Sequence, residues 1–435
     1  MFRAPPPERR RRGDLVAAAL LVLVLVGAAV LLGRSSDIAG TTARTASRPI
    51  TPPAPAAAAP AGFAETWRAP SAATATPLVS GPAVVTADGS TVTGRDAVTG
   101  EERWSYARDL PLCTAAAGFP GVENGRVLAL YANEDGPAAP GGDGPYCSEL
   151  TMLGAVTGAR VSARNPDARP GTELLADDTY VLATGGEHLE VWRSDLVRTL
   201  EYGTVPAQEQ VGRQPRPGCG YPSVTLADMR VAVIERCPAE DADRLTVLVT
   251  DGKDGAETPE ERFSQLLPGT GAAVVGVAQD RVAVTVPGAA DGGEGGEGGE
   301  GGRLVVFDGA GAQVAVTELD VAGPDPDPAG GYVPATGDDT RRYVFTGSAV
   351  LALDAGELAL LWSFPDALGP PVRYGTDLLV PVPGGLAVLD PARGTPRRLI
   401  PVQRGDDTAP VLVATQGEVL LEQRGAEVIA LSPTP

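Results

Sequence analysis

The sequence predicts an all-β fold, an eight-bladed β-propeller, with seven blades as the alternative. Three observations predict it. A unit of apolar run, turn, apolar run, polar turn and aromatic-ended third run recurs from Pro77 almost to the C-terminus. Its spacing of roughly 40–50 residues is the signature of propeller blades. The 55 glycines and 41 prolines among 435 residues suit many short strands and turns and argue against long helices. The final repeat, GEVLLEQRGAEVIALSP, lacks its last strand, and the segment Ala64-Glu-Thr-Trp-Arg-Ala69 before the first repeat looks like that strand. Closing the ring with it removes an exposed sheet edge.

The clearest copy is Pro82–Tyr106, PAVVTADGSTVTGRDAVTGEERWSY. Later copies include GRVLALYA with CSELTMLGAVTGARVSAR, TYVLATGG with EHLEVWRSDLVRTLEYG, and RYVFTGSAVLALDAGELALLWSF. Two insertions interrupt the pattern. DGGEGGEGGEGG at 291–302 should be a disordered surface loop, because glycines order at high entropic cost and the glutamates repel. GPDPDPAGG at 323–331 is a second irregular connection.

The N-terminus reads as a membrane signal. Arg9–Arg12 form a basic block within a cytoplasmic tail at 1–14, and Leu15–Gly33 contains no charge. Nineteen residues at about 1.5 Å each give roughly 28 Å, close to the hydrocarbon thickness. The basic block should stay inside, so the remainder lies outside the cytoplasmic membrane. A cleaved signal peptide is the competing reading. Residues 34–62 are Pro/Ala-rich without periodicity and predict a disordered tether, leaving 63–435 as the propeller.

Formal net charge is −20, and the 1–48 segment is basic, so residues 49–435 are more acidic still. Duplex nucleic acid is excluded as a partner, because phosphate binding needs a basic face. Cys113, Cys147, Cys219 and Cys237 fit an oxidising compartment. The local pairing, Cys113 with Cys147 and Cys219 with Cys237, brackets the inner part of the second and fourth repeats.

No catalytic set emerges. His188 is the sole histidine and reads as a solvent-facing turn residue with no nucleophile motif beside it. There is no P-loop, strand-led GxGxxG or HExxH. Asp177-Asp178 and Asp338-Asp339 lie in predicted turns, where Asp serves the backbone. The sequence therefore predicts no catalytic residue, no metal ligand and no cofactor. The stretch Trp192, Arg193, Asp195 sets an aromatic, a guanidinium and a carboxylate near a strand end, and is the one candidate for ligand binding.

Asp88–Trp104 resembles the pyrroloquinoline-quinone-like (PQQ-like) propeller repeat, D-G-x6-D-x-x-T-G-x3-W. The resemblance implies that Trp67, Trp104 and Trp362 dock between blades. Quinone-dependent dehydrogenases of this superfamily carry adjacent cysteines, which this chain lacks. Longer strings resemble an actinobacterial family of membrane-anchored periplasmic propellers that includes the mycobacterial polar growth factor A. They are Arg34-Ser-Ser-Asp37, Trp67-Arg-Ala-Pro-Ser-Ala-Ala73, Trp104-Ser-Tyr-Ala-Arg-Asp-Leu-Pro-Leu-Cys113, Trp192-Arg-Ser-Asp-Leu196 with Glu201-Tyr-Gly-Thr204, Glu235-Arg-Cys-Pro238, and Ala242-Asp-Arg-Leu-Thr-Val-Leu248. That resemblance implies a non-enzymatic role in cell-envelope assembly or polar growth. It also implies an RND-type lipid exporter as partner and a mycolate glycolipid as ligand. A pure protein scaffold and a quinone-dependent dehydrogenase are the alternatives.

Overall fold

The computed structural model describes residues 12–34, 40–133, 145–206, 208–288, 302–405 and 408–434. The expected Gly/Glu loop at 291–302, up to its last glycine, and the basic tail as far as residue 11 lie outside these. Eight antiparallel sheets follow one another in chain order, seven of four strands and one of five. Lettering strands A to D from the innermost outward, blade 1 runs from Leu78–Ser80 to Glu102–Ala107, and blade 7 from Val372–Tyr374 to Pro396–Pro401. Blade 8 takes A, B and C from Leu412–Gln416, Val419–Arg424 and Glu427–Thr434. Its D strand is Gly62–Pro70, which pairs antiparallel from Gly62↔Thr434 to Pro70↔Glu427. The eight-bladed ring and its N-terminal closing strand are thus as the repeat count predicts.

The interior follows from the alternation of each strand. Blades bury both faces, so the middles of their B and C strands are apolar runs, as in Val127–Tyr131 and Val350–Leu353. The buried side chains fall into eight clusters, one at each blade interface; Val84, Ala97, Leu421 and Val428 fill the seam between blades 8 and 1.

Aromatic docking repeats around the ring. Trp67 Nε1 donates to Ala97 O at 2.9 Å, Trp104 Nε1 to Ala155 O at 2.8 Å, and Trp362 Nε1 to Pro391 O at 3.3 Å. In each case a D-strand tryptophan caps the C–D turn of the next blade. The Asp-x-x-Thr-Gly sequence builds the turn that receives it. Asp96 Oδ1 accepts from the Val98 and Thr99 amides, and the Gly100 amide donates to Asp96 O. Gly158, at φ +69°, lies directly under Trp104, and a Cβ there would come within 2.6 Å of the indole.

The segment expected as a disordered tether, 34–62, departs from expectation over its described part. Thr42–Arg44 adds a fifth strand to blade 1, pairing with Ser105–Ala107. Ile50 is 4 % exposed and packs in the core between blades 1 and 2. The chain then crosses the AB/CD face to blades 8 and 7, where the Ala59 amide donates to Asp377 and Arg398 donates to Ala59 O and Pro60 O. At the A–B turn of blade 8, Gly417 (φ +59°) lies so close that a Cβ would sit 2.5 Å from Ala54 O. Prolines and alanines gave no strand or helix period here. The fixed φ of proline and small alanine side chains are what let an extended strap lie flat across the turns.

Both disulfides form as paired in sequence, Cys113–Cys147 and Cys219–Cys237. They pin the start of an A strand to the B–C connection of the same blade, on the DA/BC face. Loop closures of 34 and 18 residues correspond to about 4 and about 3 kcal/mol in the chain-entropy account. Reduction should therefore lower the melting temperature by about 5–10 °C for a domain this size. An unchanged melting curve with reduced thiols confirmed by alkylation would show that neither bond is structural.

The N-terminal helix spans Arg12–Arg34. Its described side chains from Leu15 to Val30 are all exposed. Among the described residues, no helix is long and apolar enough to cross a membrane.

Candidate functional site in the central channel

The A strands stand around a central cavity of about 480 Å3. Most of its wall is small or aliphatic, with Ala116, Leu175, Leu226, Val333 and Ala414 among the lining. Two charged side chains enter it. Glu173 stands just before the A strand of blade 3, and its Oε2 accepts from Thr114 Oγ1 of blade 2 at 2.8 Å. Arg342 reaches from blade 6 across to its neighbours. Its Nε donates to Val275 O at 2.8 Å and its Nη2 to Thr225 Oγ1 at 3.2 Å. Among the described residues neither group has an ion-pair partner. Burial pushes the Glu173 carboxyl above its ordinary range, opposed by the Thr114 hydrogen bond. Burial likewise brings the Arg342 guanidinium down to about 10, opposed by the more distant charge of Asp228.

The irregular connection at 323–331 packs beside this channel, against Thr184 and Glu173. It leaves blade 5, crosses to blade 3, and makes a short 3-10 turn at Ala329–Gly331. Thr184 Oγ1 donates to Gly330 O at 2.9 Å and accepts from the Glu173 amide, so one hydroxyl ties this turn to the channel wall. Tyr332 follows inside the cavity, its phenol pKa raised by burial and by nearby Glu173.

The Glu173 shift has a definite sign. A folded-state pKa above 4.5 means the native state holds the proton where the unfolded chain has released it. The associated stability is complete below 4.5 and is lost as pH rises through the folded value. Glu173→Gln keeps the acceptor for Thr114 and removes the charge. It should flatten the fall in melting temperature from acidic to neutral pH. A variant whose pH–stability curve overlays the wild type would show that Glu173 is not desolvated.

The residues singled out from sequence are placed otherwise. Trp192 is fully buried between blades 2 and 3 and donates to Glu190 Oε2 at 2.6 Å. Arg193 and Asp195 pair with each other at 2.8 Å on the surface. Strand alternation sends Trp192 and Arg193 to opposite faces, so the three do not form one site. His188 is not a solvent-facing turn residue. It begins the C strand of blade 3, is 2 % exposed, and faces Glu201 at 3.0 Å. Glu201 also meets Arg198 at 2.5 Å, while Glu190 accepts from the Asp167 amide and lies 3.7 Å from Arg164. His188, Glu190 and Glu201 are close enough to share a metal ion. Their carboxylates are instead occupied by guanidinium, indole and amide donors, which makes the cluster a charge-balanced blade seam. Asp177 and Asp338 serve their own turns, each accepting from backbone amides two and three residues on.

Sequence reasoning did not find Glu173 or Arg342. No motif surrounds either, and only ring closure brings blades 2, 3, 4, 5 and 6 to one axis.

An eight-bladed ring docked by D-strand tryptophans, with a charged central channel, defines a β-propeller. No family model matches the chain, and no curated protein matches it. Among solved structures it is similar to the computationally designed Ika8 protein, at 11% identity, covering 86% of this chain and 99% of that one, with TM-score 0.52. It is also similar to Sqt1 of Saccharomyces cerevisiae, at 9% identity over 87% of this chain and all of that one (100%), with TM-score 0.50. Quinohemoprotein alcohol dehydrogenase ADHIIG of Pseudomonas putida HK5 aligns at 12% identity over 89% of this chain and 80% of that one, with TM-score 0.48. At such identities the likeness concerns the fold alone.

Proposed function

We propose that this protein is a membrane-anchored, extracytoplasmic, non-enzymatic propeller that acts in cell-envelope assembly, holding a lipid transporter or a mycolate glycolipid. The observation that carries the reading is the N-terminal helix. Every described side chain from Leu15 to Val30 is exposed, with Leu23 and Val24 at 67%. Its described apolar side chains face outward all round, and such a surface favours lipid. The uncharged run continues in sequence to Gly33. The two disulfides support an oxidising compartment outside the cytoplasm.

The strap sets how the propeller is held. Gly40 already packs on Asp109, at the outer rim of blade 1. Only residues 35–39 separate it from the helix, six Cα steps, or about 22 Å when fully extended. The propeller is therefore kept beside the membrane rather than free to roam above it, which raises its effective concentration near a membrane partner. A non-enzymatic role agrees with the sole histidine, which is sealed between blades and paired with Glu201.

The test is native mass spectrometry of the full chain, extracted in mild detergent from its own cell. A complex with a polytopic membrane protein, or an added glycolipid mass, is expected. The bare mass of the full chain would remove the envelope-assembly reading, and a quinone mass would replace it with redox chemistry. Release of the chain by alkaline carbonate would separately overturn the anchor.

A further inference from the structure

The central channel holds two side chains of opposite charge that do not meet each other. Glu173 is held by Thr114, from blade 2, and Arg342 by Val275 O and Thr225, from blades 5 and 4. Each of these partners is neutral. Both charged groups line one cavity, and neither has an ion-pair partner among the described residues. A desolvated charge without a counter-charge in contact is costly, and the pKa shifts, up for the carboxyl and down for the guanidinium in spite of the more distant Asp228, agree with that cost. A plain anion would satisfy Arg342 and leave Glu173 unbalanced. A plain cation would do the reverse. An occupant that carries both charges completes the site.

We propose that the central channel binds a small organic zwitterion, with its carboxylate on Arg342 and its ammonium group on Glu173. The volume of about 480 Å3 suits a small molecule. The wall of Ala116, Leu175, Leu226, Val333 and Ala414 takes an apolar body between the charged ends. Tyr332 adds a hydroxyl on the Glu173 side. The turn at Ala329–Gly331 lies against Glu173 and Thr184 at that end of the site. This binding is independent of the envelope role, because it uses no residue of the helix or strap.

The probe is the dipeptide Ala-Ala, titrated into the full chain in detergent by calorimetry, against N-acetyl-Ala-Ala and Ala-Ala-amide. Ala-Ala should bind, and blocking either end should weaken it by about tenfold or more, the worth of one charge-assisted hydrogen bond. Glu173→Gln should erase the preference for the free amine and leave the preference for the free carboxylate. Arg342→Gln should do the opposite. The glutamine variant at 173 is isosteric, so the amine arm decides the matter even if the arginine variant misfolds. Absence of binding by all three probes overturns the proposal. So does equal binding of free and blocked forms, or an unchanged preference in Glu173→Gln.

Discussion

Deleting Gly62–Pro70 should abolish the closed ring. This strand is hydrogen-bonded along Glu427–Thr434 and carries Trp67, whose indole docks on Ala97 O of blade 1. Without it the C strand of blade 8 becomes an open edge, and the seam formed by Val84, Ala97, Leu421 and Val428 loses its outer cover. An unpaired apolar edge recruits other chains. The loss is on the order of the whole stability of a domain, about 5–15 kcal/mol. Light scattering after size exclusion should show aggregates or oligomers in place of a monomer. A monomer with a wild-type melting temperature would mean that the ring does not depend on this closure.

Trp104→Ala should be the most damaging single substitution among the docking tryptophans. Trp104 is fully buried in the core between blades 1 and 2, and its indole N–H satisfies Ala155 O. Truncating a buried tryptophan costs about 3–5 kcal/mol. The orphaned carbonyl adds about 1 kcal/mol or more. Trp104→Phe retains most of the ring volume and should cost much less. Trp362→Ala should fall below Trp104→Ala, because Trp362 is 9% exposed and its hydrogen bond is longer, at 3.3 Å. Denaturant unfolding of the three variants measures the order. Equal costs for Trp104→Ala and Trp362→Ala would mean that the indoles fill space without anchoring the turns.

The fate of individual residues separates local from global information. Trp104, Trp67 and Trp362 were legible as docking residues because their role is set by a repeat. A C–D turn ending in glycine (Gly100, Gly158, Gly394) in one blade and the aromatic strand of the preceding one recur together, so each copy reports the same contact. His188 and Trp192 were misread because their burial comes from the pairing of strands and the packing of the neighbouring blade, not from the residues beside them. A histidine at a strand start looks solvent-facing until Glu201 and the neighbouring blade close over it. The strap was missed for a related reason. Pro/Ala-rich sequence has no period, and its order comes from the A–B turns of blades 7 and 8, more than 300 residues away.

What the amino-acid sequence determined by itself is everything that repeats or accumulates locally. It set the all-β class, the eight blades, the closing strand, the cysteine pairing and the apolar run at Leu15–Gly33. These follow from periodicity, turn chemistry and chain length, which need no knowledge of distant neighbours. Tertiary structure alone decided the central channel. Glu173 and Arg342 lie 169 positions apart in sequence and carry no motif. They share a cavity only because ring closure brings innermost strands to one axis, where small side chains leave room and both charges are half-buried.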